Sequence, residues 1–180
     1  KDCIIVSVAA GQSIAAIESL LGSDIKLVRA MPNTPALVGE SMSALCCNSN
    51  VTDDELALVK QLFECFGKAE IITEGMMDAV IGVAGSSPAY VYMFIEALAD
   101  GAVACGIPRA KAMEYAAATV IGAAEMVLTT GKHPGELKDA VCSPGGSTIA
   151  GVRALENHGF RGAAMDCVIA TYHRNKELGK

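Results

Sequence analysis

The chain has 180 residues, 52% of them hydrophobic and 19% charged, so it can bury a sizeable core in one domain or two small ones. Its net charge is −6 without a basic run, which argues against nucleic acid or an anionic membrane as its main partner. Seven cysteines without C-x-x-C spacing favour reduced thiols in a cytoplasmic protein over a disulfide framework. No uninterrupted apolar run reaches transmembrane length, and no signal peptide is visible.

The first part of the chain alternates strands and helices, the pattern of an α/β sheet. Residues 3–9 form a continuous apolar run, typical of a parallel strand covered on both faces. Ser13 and Thr52 stand where the two helices of this part need N-terminal caps. Further strands are predicted at residues 25–30, 42–47 and 68–72, and helices at 13–21 and 52–66; the apolar face of the second helix comprises Leu56, Val59, Leu62, Phe63 and Phe66.

Beyond residue 73 every predicted element is a helix. The two longest helices are apolar nearly all round, and about a hundred residues of helix cannot bury two such elements fully. We therefore expect a second subunit to cover them; the alternative is that both pack inside this chain. The predicted domains are residues 1–73 and 74–180, and the predicted helices of the second are residues 76–83, 88–105, 109–130, 134–140, 148–157 and a last one from 161.

A glycine-rich turn, Val141-Cys142-Ser143-Pro144-Gly145-Gly146-Ser147-Thr148, separates two of these helices. Its paired glycines leave the backbone unshielded and free to take positive φ. Ser147 and Thr148 stand at the predicted N-cap of the next helix, whose first N–H groups have no intrahelical partner. Such a turn can hold a small carboxylate through backbone N–H groups and the helix dipole. An ordinary glycine-rich loop before a capped helix is the alternative, and the residues alone do not decide.

The sequence shows no obvious nucleophile, general acid–base pair or metal site. The three histidines lack H-x-x-x-H spacing and a cysteine pair, so we interpret them as surface or capping residues. Nothing orients Cys142 as a nucleophile, and Tyr90 and Tyr92 are typical of core residues. This absence favours chemistry done by a bound cofactor. The loop Met31-Pro32-Asn33-Thr34-Pro35 is made rigid by two prolines and follows a strand's carboxyl end, where open α/β sheets bind ligands.

The segment Ser143-Pro144-Gly145-Gly146-Ser147-Thr148 matches a highly specific Ser-Pro-Gly-Gly-x-Thr pattern. It resembles pyrroline-5-carboxylate reductase, the last enzyme of proline synthesis, and the similarity runs over essentially the whole chain. The other segments that carry it are Ser7–Gly11, Arg29–Pro35, Gly85–Tyr90, Ala99–Ala102 with Gly106, His133-Pro134, Leu137–Asp139 and Leu155-Glu156.

The resemblance implies the C-terminal part of a Rossmann-type parallel sheet for NADH or NADPH, followed by an all-helical domain that intertwines with a partner's in a homodimer or higher homo-oligomer. It implies hydride transfer to the C=N carbon of 1-pyrroline-5-carboxylate, which gives L-proline. Met31, Pro32 and Asn33 would then lie against the nicotinamide. Thr148 would be the catalytic residue near the ring nitrogen, and the substrate would be held by Val141, Ser143, Gly145, Gly146, Ser147 and Thr148.

One feature of this family, the glycine-rich dinucleotide fingerprint, is absent from the 180 residues. The chain begins with Lys1-Asp2 and enters a buried-type strand at once, so we expect missing N-terminal structure. The resemblance implies that the missing part amounts to two βαβ units of about 30 residues each. We expect the chain as given to bind cofactor weakly or not at all, and the choice between NADH and NADPH is not predicted. Two alternatives stay open: a non-catalytic dimerisation or regulatory relative, and a dehydrogenase of another small hydroxy acid.

Overall fold

The computed structural model describes residues 3–178, which divide into two compact units. The first unit comprises residues 3–88 and 165–178, and the second comprises residues 89–164. The division therefore differs from a single boundary at residue 73. Most of the last helix, from Met165 on, belongs with the first unit because it packs there: the Asn175 amide donates to the Asp78 carboxylate, and Gly82 lies against the backbone of Val168.

The first unit is a four-stranded sheet with helices, and the predicted α/β class is confirmed. Its strands lie in the order β1-β2-β3-β4. They are β1 Ile4–Ser7, β2 Lys26–Met31, β3 Ser41–Cys47 and β4 Gly67–Ile71, and the helices between and after them are α1 Ile14–Leu21, α2 Asp53–Glu64 and α3 Met77–Val80. The first strand is shorter than predicted and its side chains are half-buried or exposed, because β1 lies at a sheet edge and is not covered on both faces.

The sheet is mixed, with one reversal in an otherwise parallel arrangement. The pairs β1–β2 and β3–β4 are parallel, and each is joined through a helix. The pair β2–β3 is antiparallel. Its connection, residues 32–40, contains only a 3₁₀ turn at Thr34–Val38, and a parallel crossover needs roughly a dozen residues or more. The short connection therefore forces the chain to reverse.

The sheet buries a core on each face because successive strand residues point to opposite sides. Val28 and Leu45 face α2, whereas Leu27 and Ala44 face α1 and α3. The predicted apolar face of α2 was too wide: Leu56, Val59 and Phe63 are buried, but Leu62 is exposed. Leu62 stands at the margin of the helical stripe, where side chains reach solvent.

Local capping follows the sequence prediction in this unit. The Ser13 hydroxyl accepts from the backbone N–H of Ala16 at the start of α1. Thr52 and Glu55 form a reciprocal capping box at the start of α2.

Gly67 opens β4 with φ 151°, and a Cβ there would lie 2.2 Å from the carbonyl oxygen of Ser41. Only glycine lets β3 and β4 approach so closely.

The chain then passes into a continuous helical stretch, residues 74–104, without the predicted break between 83 and 88. It begins with a 3₁₀ turn at Glu74–Met76, continues as α3, widens into a π-helical turn at Ile81–Gly85, and ends as α4, Ser87–Ala104. Pro88 stands in the first turn of α4, and because it has no N–H it cannot donate to the carbonyl of Ala84, four residues before it.

The second unit is helical, and no strand follows Ile71 in the described part of the chain, as predicted. Its buried residues are only Ala99, Ala112 and Ala116. Many large apolar side chains of the same helices are exposed. The helices are α4, α5 Arg109–Thr130, α6 Pro134–Val141, α7 Ser147–Asn157 and α8 Phe160–Leu178, of which α4 begins and α8 ends in the first unit.

Candidate active site

The glycine-rich segment folds as a tight turn between α6 and α7. The backbone N–H of Gly146 donates to the carbonyl of Ser143 at 3.0 Å. Pro144 and Gly145 are the two central residues, and Gly145 has φ 70°. This arrangement is that of a type II turn, which favours proline at its second position and requires positive φ at its third.

Gly146 is the residue that brings this turn close to the helix start. It is the N-cap of α7 with extended backbone, φ −77° and ψ 171°. A Cβ at this position would lie 2.3 Å from the hydroxyl oxygen of Ser143. The absence of a side chain therefore lets the Ser143 hydroxyl lie directly beside the first turn of α7.

Ser147 and Thr148 are not the N-cap, and that prediction is wrong. They are the first two residues of α7, and no side chain accepts a hydrogen bond at the cap. The structure extends the helix back to Gly146, because Gly145 supplies the positive φ that turns the chain. The first backbone N–H groups of α7 consequently have no side-chain acceptor, and Ser147 and Thr148 are both exposed. This end of α7 offers several hydrogen-bond donors to an anion.

Helix α6 carries Val141 up to the turn. Its N-cap is His133, whose Nδ1 accepts from the backbone N–H of Gly135 at 3.0 Å, the capping role proposed for a histidine from the sequence. Val141 ends α6 and is exposed. It also lines an apolar cavity of about 420 Å³ formed by Ala123, Met126, Val127, Pro134, Leu137, Lys138, Ala140 and Val141. The turn therefore combines exposed donors with an adjoining apolar wall.

In the first unit, Met31 is the last residue of β2, and Pro32 and Asn33 follow it directly. All three are half-buried. Strands β1 and β2 are parallel, so their carboxyl ends share one edge of the sheet, with Ser7 paired to Arg29. The loop thus occupies the predicted position at the carboxyl end of a strand, and Met31 and Pro32 present uncharged surface there. Such a surface fits the neutral nicotinamide end of a dinucleotide better than its phosphates.

The Asn33 side chain is occupied by the fold itself. Its Oδ1 accepts from the backbone N–H of Met42 at 3.1 Å, and its Nδ2 donates to the carbonyl of Ala84 at 2.9 Å. Sequence reasoning placed Asn33 against the cofactor and missed these two bonds. A signal was available, since Pro88 lacks the N–H that an α-helix would offer to the carbonyl of Ala84.

A partly buried ion pair lies near the same end of the sheet. Arg29 on β2 is only 6% exposed, and its Nη1 lies 3.3 Å from Oε1 of Glu74. The same oxygen accepts from the backbone N–H of Ile14 at 2.6 Å, the first residue of α1. Glu74 therefore joins β2, the start of α1 and the start of the helical stretch, and this contact was also missed from the sequence.

Cys46 and Cys47 do not supply a reactive thiol, and the described residues contain no metal-binding cluster. Burial raises the pKa of the Cys46 thiol to about 11, and the neighbouring Glu74 carboxylate adds to the rise. Burial also raises the pKa of Cys47. A thiol that stays protonated is a poor nucleophile. Within residues 3–178, no group of three or more His, Cys, Asp or Glu side chains could hold a metal ion.

The predicted site residues therefore form two groups, and each group lies within one unit. Met31, Pro32 and Asn33 belong to the first unit. The residues of the turn belong to the second unit; they are Val141, Ser143, Gly145, Gly146, Ser147 and Thr148.

The exposed apolar helices need an explanation as well. The stretch Glu74–Ala104 is long and apolar enough to cross a membrane by length and composition, and 11% of its most apolar window is buried. A single such helix is weak evidence for a membrane span, because helices that pack in a protein interior pass the same test.

A family model described as pyrroline-5-carboxylate reductase dimerisation matches residues 74–178, which include this stretch. Among curated proteins, a pyrroline-5-carboxylate reductase of Escherichia coli (strain K12) is 52% identical over 180 residues, which are 100% of this chain and 67% of that protein. The Arabidopsis thaliana protein of the same name is 49% identical over 180 residues, 100% of this chain and 65% of its own length.

Solved structures agree with these relatives. A Plasmodium falciparum pyrroline carboxylate reductase with NADP bound superposes with a TM-score of 0.93 at 36% identity, over 98% of this chain and 71% of that one. The 1-pyrroline-5-carboxylate reductase of Streptococcus pyogenes gives a TM-score of 0.91 at 40% identity, over 96% and 67% of the two chains. At such identity the similarity extends beyond the fold to the family.

Proposed function

Because this chain belongs to the pyrroline-5-carboxylate reductase family, we propose that it reduces 1-pyrroline-5-carboxylate to L-proline, with hydride from NADPH or NADH. The observation that carries the proposal is 52% identity over all 180 residues to a reductase of that name. The geometry of the turn before α7 supports it independently, since an uncapped helix start with exposed hydroxyls beside an apolar wall suits a small cyclic acid.

The turn is proposed to hold the substrate's carboxylate. The first N–H groups of α7 lack intrahelical partners, and the helix dipole adds partial positive charge at this end. The Ser143 hydroxyl lies beside these groups, because Gly146 leaves the room. Val141 would contact the apolar part of the ring from the end of α6. The charged carboxylate fixes the orientation of the ring, and the apolar wall excludes water on one side.

Thr148 is proposed to act at the ring nitrogen. It is the second residue of α7, and its hydroxyl can donate or accept a hydrogen bond. A protonated imine is already electrophilic, so the protein needs to supply orientation and a hydrogen bond rather than strong acid catalysis.

The nicotinamide cofactor supplies the hydride when it is bound. Met31 and Pro32 are proposed to contact its neutral ring from the carboxyl end of β2, where they present half-buried, uncharged surface. The 180 residues span about two thirds of the length of the E. coli relative and contain no G-x-G-x-x-G segment. The pyrophosphate is therefore not assigned to residues of this chain.

The second unit, residues 89–164, is proposed to form a homodimer, with each copy covering the exposed apolar side chains of the other. Its own buried residues are three alanines, too few to stabilise helices of this length alone. No disulfide joins any of the seven cysteines, all of which lie in the described residues, and reduced thiols support the proposed cytoplasmic location.

The test measures oxidation of NADPH and of NADH with 1-pyrroline-5-carboxylate. It uses the chain alone and the chain joined to the part of the E. coli relative that the alignment leaves uncovered. We expect the joined protein to turn over and Thr148→Ala to lower kcat by about 100-fold, as for loss of an oriented hydrogen bond. Ser19→Ala, which removes an exposed hydroxyl of α1, is the control and should leave kcat unchanged.

Two outcomes would contradict the proposed reaction, and a third would contradict only the role of Thr148. Oxidation driven by a hydroxy acid and not by the pyrroline substrate would make the protein another dehydrogenase. A joined protein that forms a dimer but oxidises neither cofactor would make it a non-catalytic relative. Unchanged kinetics in Thr148→Ala would remove Thr148 from the mechanism and leave the substrate assignment standing.

A further inference from the structure

The Asn33 amide connects three pieces of backbone that meet at the cofactor loop. Its Oδ1 accepts from Met42 N–H at 3.1 Å, at the start of β3. Its Nδ2 donates to the carbonyl of Ala84 at 2.9 Å, in the helical stretch. The backbone N–H of Asn33 lies 3.4 Å from the Ser41 hydroxyl. The side chain is thus fixed at both ends by backbone groups of the protein.

The carbonyl of Ala84 has no backbone donor at the usual α-helical position, so the Asn33 amide can donate to it. In an α-helix the carbonyl of residue 84 would accept from the N–H of residue 88, which is proline and has none. A proline ring also clashes with the carbonyl four residues before it, so the helix must widen there. The observed π turn at Ile81–Gly85, closed by Ser86 N–H donating to Ile81 at 2.9 Å, is such a widening.

The wide turn is also held from its other side. A Cβ on Gly82 would lie 3.0 Å from the carbonyl of Val168 on α8, so the turn sits directly on that helix. The Ser87 hydroxyl donates to the carbonyl of Gly82 at 3.2 Å. Because the turn cannot shift freely, the carbonyl of Ala84 is a fixed acceptor for the Asn33 amide.

We propose that Asn33 is a positioning residue, which uses the carbonyl left without its helical donor by Pro88 to hold Met31 and Pro32 in place for hydride transfer. It does not serve as a ligand of the cofactor. Asn33 and Pro88 lie 55 positions apart in the sequence and act together. Pro88 leaves the carbonyl of Ala84 without an α-helical donor, and the Asn33 amide donates to that carbonyl. The effect on catalysis rests on the proposed reductase function, whereas the structural device does not.

The first experiment tests the device without any activity, on the 180-residue chain. Asn33→Asp keeps an oxygen for Met42 N–H but replaces the donor to Ala84 with a second acceptor. We expect the melting temperature to fall by about 3–8 °C. Pro88→Ala restores an N–H that can reach the carbonyl of Ala84, so in that background the fall should be at most half as large. An equal fall in both backgrounds would overturn the pairing of Asn33 with Pro88.

The second experiment uses the joined protein described above and compares kcat with KM. For a positioning residue, Asn33→Asp should lower kcat by about 10- to 100-fold and leave KM for the dinucleotide within about twofold, because misplacing a reacting group affects the chemical step. Asn50→Asp is the matched control: it adds the same charge and removes an exposed amide that donates to the carbonyls of Ser23 and Ile25. It should leave kcat unchanged.

The two experiments fail in distinguishable ways. A raised KM for the dinucleotide with unchanged kcat would make Asn33 a ligand and overturn the proposal. Unchanged kinetics with a coupled fall in melting temperature would restrict Asn33 to stability and overturn its positioning role. If the unsubstituted joined protein shows no pyrroline-dependent oxidation, the proposed function fails, and the melting experiment still decides whether Pro88 and Asn33 are coupled.

Discussion

The two compact units differ in what they bury. In the sheet unit, Leu27, Val28, Leu45 and Met77 are fully enclosed between the strands and three helices. In the helical unit the enclosed residues are alanines, and Ile121, one of its large apolar side chains, remains 71% exposed. The sheet unit encloses its own large apolar side chains and is stabilised by that burial. The helical unit leaves its large apolar side chains open, where the proposed second copy would cover them. The difference indicates that folding and assembly are divided between the units.

The largest expected effect breaks the sheet unit from within. Leu45 on β3 is 0% exposed, and Leu45→Ala should lower the free energy of unfolding by about 2–5 kcal/mol through lost burial and the cavity left behind. Urea denaturation measures this loss. It should be the same at low and high protein concentration, since the damage lies inside one chain. A loss that varies with concentration would show that the sheet unit also depends on assembly.

The next largest effect tests which of the two units forms the proposed dimer interface. Ile121→Glu places a charge on the exposed face of α5 and should weaken the proposed dimer by about 100-fold or more, because an unpaired charge would be buried. Leu20→Glu on α1, at a side chain that is 80% exposed in the sheet unit, is the matched control. Sedimentation analysis across concentrations measures both. If both variants dissociate, or neither does, the assignment of the interface to the helical unit is wrong.

A smaller effect concerns the turn within the helical unit. Gly146→Ala introduces a Cβ at 2.3 Å from the Ser143 hydroxyl, and should raise KM for the pyrroline substrate by about 10-fold as the hydroxyl moves. Gly151→Ala is the control on the same helix, since nothing lies within 4 Å of its added Cβ. Steady-state kinetics of the joined protein gives both values. Equal KM values would show that the turn does not contact the substrate.

The smallest expected effect concerns the reactivity of the Cys46 thiol, which measures how often the core of the sheet unit opens. With a pKa of about 11, Cys46 should resist alkylation at pH 8, while the exposed Cys65 and Cys105 react. Its raised pKa means that the unfolded chain loses this proton first, so stability should fall as the pH rises from about 9 to 11. Mass spectrometry of alkylated peptides measures the reaction. Rapid labelling of Cys46 in the native protein would show that the core opens readily.

Local signals in the sequence predicted much of both units. Helix α5 was placed at its observed bounds, and Ser13 and Thr52 were identified as caps, because helix periodicity and cap residues act within a few positions. The family resemblance was confirmed by relatives over the whole chain. These features depend on neighbouring residues or on long segments, and both are visible in one sequence.

Other features depended on contacts that local patterns do not encode. The reversal of β3 follows from the short connection at residues 32–40, although each strand alone is compatible with either direction. The N-cap at Gly146 depended on a turn geometry that two adjacent glycines allow in more than one form. The bonds of Asn33 and Glu74 join residues far apart in the chain. A single sequence therefore does not reveal which distant residue a given polar side chain contacts.

The reversal between β2 and β3 has a consequence for how this protein can be altered. Residues 34–40 leave and return at one sheet edge, and the two ends are fastened together by Asn33 with Ser41 and Met42. The tip between them is solvent-exposed, with Leu37 91% exposed. Lengthening a loop whose ends are already closed costs little free energy. The tip is thus a natural point for inserting a peptide tag or a reporter domain without disturbing Met31 and Pro32.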